Sequence, residues 1–140
     1  MGSVVTAEEV NAFYDSVFPG DGKQERVLDV RENYARIRQP VGLSHLRPGG
    51  YISGPTQMAV ADSAAYIAVF TRIGITPMAL TSNLNINFMR PCIGDAVIAD
   101  AHVLKLGRTL AVISVDIRAE GSDKVSSQAV VNYSLPMAPR

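Results

Sequence analysis

Between Met58 and Phe70 the chain is almost wholly apolar and carries one charged side chain, Asp62. The segment GPTQMAVADSAAYIAVFTRIG predicts a helix with Gly54 as its N-cap and Pro55 at the first helical position, where a missing N–H costs nothing. Gly74 is its predicted stop. Apolar residues on nearly every face predict a helix buried all round, and its alanines let other backbones approach closely. Downstream the period changes from helical to two. Leu80–Met89 places Leu80, Leu84, Ile86 and Phe88 on one face and Asn83, Asn85 and Asn87 on the other. Ala96–Leu106, Leu110–Ala119 and Val125–Leu135 read as three more strands, joined by the turns Leu106-Gly107-Arg108-Thr109 and Gly121-Ser122-Asp123. Alternation with short turns predicts an antiparallel sheet with one covered face, and a single long apolar helix is satisfied most simply if that sheet curls around it.

Upstream, Thr6–Phe18 predicts an amphipathic helix. A Thr6–Glu9 capping box starts it, Val10, Phe13, Tyr14 and Val17 form its apolar stripe, and Pro19-Gly20-Asp21-Gly22 ends it. Val27–Ile37 reads as extended and highly charged, anchored by Leu28 and Val30, and a Pro- and Gly-rich loop follows from Pro40 to Gly50. The expected class is therefore α+β, as one domain over residues 1–140.

Composition narrows the functions. Hydrophobic residues are 47% and charged residues 19%, which disfavours disorder. Thirteen basic and thirteen acidic residues cancel, so no global field draws nucleic acid or an anionic membrane. Local clusters such as Arg36, Arg38 and Arg47 could still bind anionic groups. The single Cys92 cannot form an internal disulfide and, with no activating base in view, reads as an inert thiol. The first ten residues lack a signal-peptide pattern, so a cytoplasmic location is expected.

Asp62 is the standout for chemistry, because a carboxylate on an apolar helix is expensive unless paired, hydrogen-bonded or functional. A structural Asp bonded to Gln57, Ser63 or Tyr66 and a functional Asp are equally good readings of the residues alone. Ser53-Gly54-Pro55 opens the helix, where a free N–H and the positive dipole end suit a developing oxyanion. Pro55 has no N–H, so Gly54 is the natural donor; an ordinary loop-to-helix junction is the alternative. Gly54 and Asp62 are eight residues apart, about 12 Å along a helix. If both act on one bond, one of them comes from a second subunit. His45 lies in a polar loop and His102 on an outward strand phase. Neither shares metal-ligand spacing with Cys92 or the acids, so no metal site is expected. Lys105 and Arg108 flank a hairpin turn and could hold a phosphate.

These residues resemble the hotdog-fold thioesterase superfamily, specifically the phenylacetate-pathway-like acyl-CoA thioesterases. GGYISGPTQMAVADSAAYIA and TSNLNINFMRPCIGDAVIADAHVLKLGRTLAVISVDI carry the likeness, which runs from about Arg47 to Leu135. The resemblance implies a sheet wrapped around one helix, a homodimer that assembles further into a tetramer, and hydrolysis of an acyl-CoA with no cofactor beyond the CoA of the substrate. It implies that Asp62 is general base or nucleophile and that the Gly54 N–H polarises the thioester carbonyl. Thr81, or neighbouring Ser82, would orient the attacking water. Beside these, Arg47 could contact a CoA phosphate or a carboxylate on the acyl group, Lys105 and Arg108 are candidates for CoA phosphates, and Ser53 and Ser82 are further substrate-binding candidates. Two departures stand out. Ser53-Gly54-Pro55 replaces a common histidine and two glycines, and no amide side chain stands near Arg47, where relatives often have one. They keep a non-catalytic acyl-CoA-binding module open as the alternative. A hydratase would need a histidine that neither His45 nor His102 supplies.

Overall fold

The computed structural model describes residues 2–18 and 24–136. The first helix, α1 (Ala7–Val17), starts at the expected capping box, with Glu9 N donating to Thr6 Oγ1 at 3.1 Å and Thr6 N to Glu9 Oε1 at 2.9 Å. Val10 and Tyr14 of its stripe are buried, whereas Val17, expected there too, is exposed. The Pro19-Gly20-Asp21-Gly22 stop lies outside the described residues.

The charged stretch after it divides into two strands rather than one extended run. β1 (Arg26–Arg31) and β2 (Tyr34–Pro40) pair antiparallel across a turn at Glu32 and Asn33, and Asn33 adopts φ 68°, a conformation Asn tolerates better than most residues. A 3₁₀ turn over Leu43–His45 then leads into the long helix α2 (Gly54–Ile73). Ser53, not Gly54, is its N-cap: the Ser53 hydroxyl accepts from Thr56 N at 3.2 Å, which makes Gly54 the first helical residue. Gly74 ends the helix at φ 85°.

Four strands follow, β3 (Leu80–Phe88), β4 (Ala96–Leu106), β5 (Leu110–Ala119) and β6 (Ser127–Ser134). The six form one antiparallel sheet in the order β1-β2-β4-β5-β6-β3, so the two edges are β1 and β3. Helix α2 lies against its inner face, chiefly on β2, β4 and β5. Fully buried Ala61, Ala64, Ala65 and Ala68 share one core with Ile37, Ile113, Val115 and Ile117. Small residues along the helix bring its backbone close to the sheet, and β-branched residues on the strands fill the remaining space.

The helix is not buried all round. Met58 and Ala59 are exposed, and Asp62, Ser63 and Tyr66 are half-buried. Spacings of three and four residues put these on a single stripe. The sheet covers the other sides of the helix and leaves this one open, next to edge strand β3.

Candidate active site

Asp62 lies on that open stripe and lines a cavity of about 520 Å³. Its partners come from the sheet rather than from its own helix. Thr81 Oγ1 donates to Asp62 Oδ1 at 2.5 Å, and Tyr133 Oη donates to the same oxygen at 2.7 Å and approaches the Asp62 carbonyl at 2.9 Å. Both hydroxyls therefore go to Oδ1. The expected local partners are engaged elsewhere: Gln57 bonds Ile52 O and Ser127 Oγ, and Tyr66 Oη donates to Pro77 O.

A bulge makes this arrangement. Thr81 pairs with Tyr133 and Asn83 with Asn132, so Ser82 is the extra residue. The extra residue shifts the alternation by one, so Thr81 joins Leu84 and Ile86 on the inner face. Ser82, the other hydroxyl considered for orienting water, turns outward and donates to Asn132 O at 3.3 Å.

The cavity holds a second carboxyl that the sequence reading overlooked. Glu25, just before β1, lines it together with Tyr14, Ser63 and Tyr66. Burial is the largest influence on its carboxyl; hydrogen bonding from Ser63 works against it and the Asp62 charge adds to it, and the outcome is pushed up to about 7. Tyr133 is held above the usual phenol range, first by burial and further by bonding to the Asp62 carboxylate, with Thr81 working the other way.

Gly54 lies in a different hollow, of about 490 Å³, whose lining includes Arg47, Gln57, Phe88, Arg90 and Cys92. Its N–H has no acceptor among the described residues, as expected for the first residue of a helix. The Phe88 ring covers it so closely that a Cβ there would stand 3.3 Å from Cζ. The thiol of buried Cys92 is pushed up by burial, partly offset by a hydrogen bond with Ser126. The chain thus separates the carboxylate from the free N–H, as the spacing of about 12 Å requires.

The remaining candidates fall elsewhere. The Ser53 hydroxyl is occupied as the helix cap and shares a hydrogen bond with Thr56 Oγ1 at 2.8 Å. Lys105 lies near the end of β4 and Arg108 in the β4–β5 turn, and neither lines either hollow. Arg36 and Arg38 do not join Arg47 in one cluster. They form ion pairs with Asp100 at 2.6 Å and Glu120 at 2.8 Å. His45 Nδ1 accepts from Gly42 N at 2.8 Å, a loop-stabilising bond, and His102 is exposed beside the Tyr34 ring. Among the described residues no helix is long and apolar enough to cross a membrane.

Residues 49–126 match the model of the thioesterase superfamily. The chain belongs to that superfamily. It is 31% identical over 85 residues to acyl-coenzyme A thioesterase 13 of Mus musculus, a match covering 60% of this chain and 60% of that one. A Silicibacter sp. crystal structure assigned as a thioesterase is 32% identical with TM-score 0.85, covering 96% of this chain and 94% of that one. The E. coli PaaI protein, from the phenylacetic acid degradation operon, shares the fold at TM-score 0.77 and 20% identity, over 92% of this chain and 91% of its own. The six-stranded sheet around α2 is the hotdog fold of these neighbours.

Proposed function

We propose that this protein is an acyl-CoA thioesterase whose sites form between the subunits of a homodimer. The observation that carries the reading is the Asp62 carboxylate, with two hydroxyls on Oδ1, in the wall of a cavity. Those hydroxyls hold Oδ1, so Oδ2 can take a proton from water. The Gly54 N–H of the other subunit would polarise the thioester carbonyl. Water oxygen adds to the carbonyl carbon, the C–S bond breaks, and the CoA thiolate leaves and takes up a proton. Direct attack by Asp62 on the carbonyl is the other route to the same products. A single turnover in ¹⁸O-water tests for direct attack, because unlabelled product acid with the label in the Asp62 carboxyl can arise only from a mixed anhydride opened at the Asp62 carbonyl carbon.

Three features support the dimer. The open stripe of α2 runs from Met58 to Tyr66 between the two hollows; β3 is an unpaired edge; and Leu80, Phe88 and Met89 on or beside that edge are exposed. A long edge with exposed apolar residues calls for covering. A two-fold axis at this face would set Gly54 of one subunit opposite Asp62 of the other. Arg47 and Arg90 make the Gly54 hollow basic, which suits the phosphates of CoA, with Lys105 and Arg108 as further contacts. Pairing of dimers into a tetramer and a cytoplasmic setting belong to the same reading. The carboxylate that activates water (or attacks directly) and the oxyanion donor are both the chain's own, so the scheme calls for no metal or redox cofactor.

The test is free-CoA release from a panel of short, medium, long and aryl acyl-CoAs, with wild type and Asp62→Asn compared. Turnover that collapses in a folded, dimeric Asp62→Asn protein is the expected result. Absent turnover would replace the enzyme with a non-catalytic acyl-CoA-binding module, and equal turnover in both would remove Asp62 as the catalytic group.

A further inference from the structure

Gln57 is the one amide side chain of α2, and the chemistry above leaves it without a task. It is 4% exposed, and an apolar side chain of the same length would fill its space without the cost of desolvating an amide. Its bonds show what it holds. The backbone N–H of Gln57 donates to Ser53 O at 3.2 Å, the carbonyl of the same peptide whose N–H belongs to Gly54. Its side-chain Nε2 donates to Ile52 O, one peptide earlier, at 3.2 Å. Peptides are planar, so holding these two carbonyls sets the direction of the Gly54 N–H. The stretch before them turns through Gly49 at φ 98° and Gly50 at φ 82°, so its course rests on tethers such as these. The Ser127 hydroxyl donates to Gln57 Oε1 at 2.7 Å and ties the amide to the sheet. Ser127 is fully buried at the start of β6, paired with Phe88 on one side and Ile117 on the other. Six residues on, about 20 Å along the same strand, Tyr133 holds Asp62.

Resting on the reading of Gly54 as the oxyanion donor, we propose that Gln57 and Ser127 are its positioning residues. Ser127 holds the Gln57 amide, and the amide holds the Ile52 carbonyl, so the Gly54 N–H is aimed before the thioester arrives. A donor fixed in advance needs no reorganisation when charge develops on the carbonyl oxygen. One strand thereby sets both halves of the chemistry, with Ser127 at one end serving Gly54 and Tyr133 at the other serving Asp62. In a dimer whose sites lie across the two-fold axis, these two ends belong to different sites.

The experiment measures kcat, KM and thermal unfolding for wild type, Gln57→Met, Ser127→Ala and the double variant on the best acyl-CoA. Gln57→Met keeps the length of the side chain and removes both of its bonds. Its kcat should fall by about tenfold or more while KM moves by less than about threefold, because the aim of the donor matters most in the transition state. Ser127→Ala should cost less, about threefold to tenfold in kcat, since the bond to Ile52 survives; it also carries the test should Gln57→Met not fold. The double variant should be no slower than Gln57→Met, because Ser127 acts through the amide. Mixed dimers then show which half of the site the amide serves. Co-refolded with Asp62→Asn, Gln57→Met should recover to about a quarter of wild type, since each mixed dimer pairs an unaltered Gly54 turn with an intact Asp62. Co-refolded with Gly54→Pro, which removes the donor, it should gain nothing. An amide with a merely structural role would leave both pairings unrecovered. Unchanged kcat in both folded single variants, or recovery with Gly54→Pro, overturns the proposal. If Gly54→Pro and Asp62→Asn fail to complement each other, the interface reading fails instead, and the kinetics of the single and double variants decide. Should wild type hydrolyse no ester, the thioesterase reading fails by itself, and ¹⁵N relaxation at the Gly54 amide decides: a lower order parameter in Gln57→Met supports the positioning, and an unchanged one rejects it.

Discussion

Thr81 reaches Asp62 because Ser82 is an extra residue in β3. The 2.5 Å bond from the Thr81 hydroxyl to Asp62 Oδ1 depends on a phase shift between Thr81 and Asn83 that turns the threonine inward. Strict alternation would have sent it to the opposite face from Leu84. A hydrogen bond to a charged group contributes about 1.5–3 kcal/mol. Thr81→Val should therefore lower kcat by about tenfold to a hundredfold while leaving the fold intact. Thr81→Ser, which keeps the hydroxyl, should stay within a few fold of wild type. Steady-state kinetics on the best ester checks both, and equal losses in the two variants would show that the methyl group, not the hydroxyl, matters.

Tyr133 completes the same site from β6. Its side chain is buried, and its hydroxyl serves both Oδ1 and the carbonyl of Asp62. Tyr133→Phe should cost about 1–2 kcal/mol of stability and reduce kcat. Since Thr81 and Tyr133 share one acceptor oxygen, their effects should couple. In a double-mutant cycle the loss in Thr81→Val/Tyr133→Phe should differ from the sum of the single losses by about 0.5 kcal/mol or more. Strict additivity would mean that the two hydroxyls do not act through Asp62 together.

Much of this was legible in the sequence. The span of α2, to within one residue at its N-cap, and the four later strands follow from periodicity, and Asp62 stands out from the cost of a charge on an apolar helix. What escaped has physical reasons. The β1–β2 hairpin is short and highly charged, and its turn at Asn33 lacks the Asn-Gly signal. The bulge at Ser82 is invisible to a two-residue period, which puts Leu80 in phase with Leu84. The partners of Asp62 are cross-sheet, 19 and 71 residues away, where local inspection does not reach. Glu25 sits in a charged loop with no pattern to single it out, and only the fold sets it beside Ser63. The even apolarity of α2 predicts complete burial, whereas one stripe of it is open.

Glu25 makes stability depend on pH. Its folded-state carboxyl is raised from 4.5 to about 7, chiefly by burial. As pH climbs from about 4.5 to 7, the unfolded chain releases this proton before the folded one does, so unfolding becomes easier across that window and the effect levels off above it. Glu25→Gln removes the penalty. Urea titrations should show the variant more stable than wild type by about 1–3 kcal/mol at pH 8, with no difference at pH 4. The same gap at both pH values would rule out ionisation of Glu25 as its source.

The division of Gly54 and Asp62 between two hollows admits a test of where the complete site lies. Ser53 has φ −68° and ψ 156°, a conformation that accepts a following proline, and the Gly54 N–H bonds nothing among the described residues. Gly54→Pro thus removes the proposed oxyanion donor at the first position of a helix, where proline is tolerated. The Phe88 ring must yield slightly to the added atoms. Alone, Gly54→Pro and Asp62→Asn should each be nearly inactive. Co-refolded in equal amounts, half of the dimers are mixed, and each mixed dimer holds one site with an intact Gly54 from one subunit and an intact Asp62 from the other. Activity should return to about a quarter of wild type if the two residues act across the two-fold axis. If they act within one subunit, no mixed dimer contains a complete site and the mixture stays as inactive as its parts.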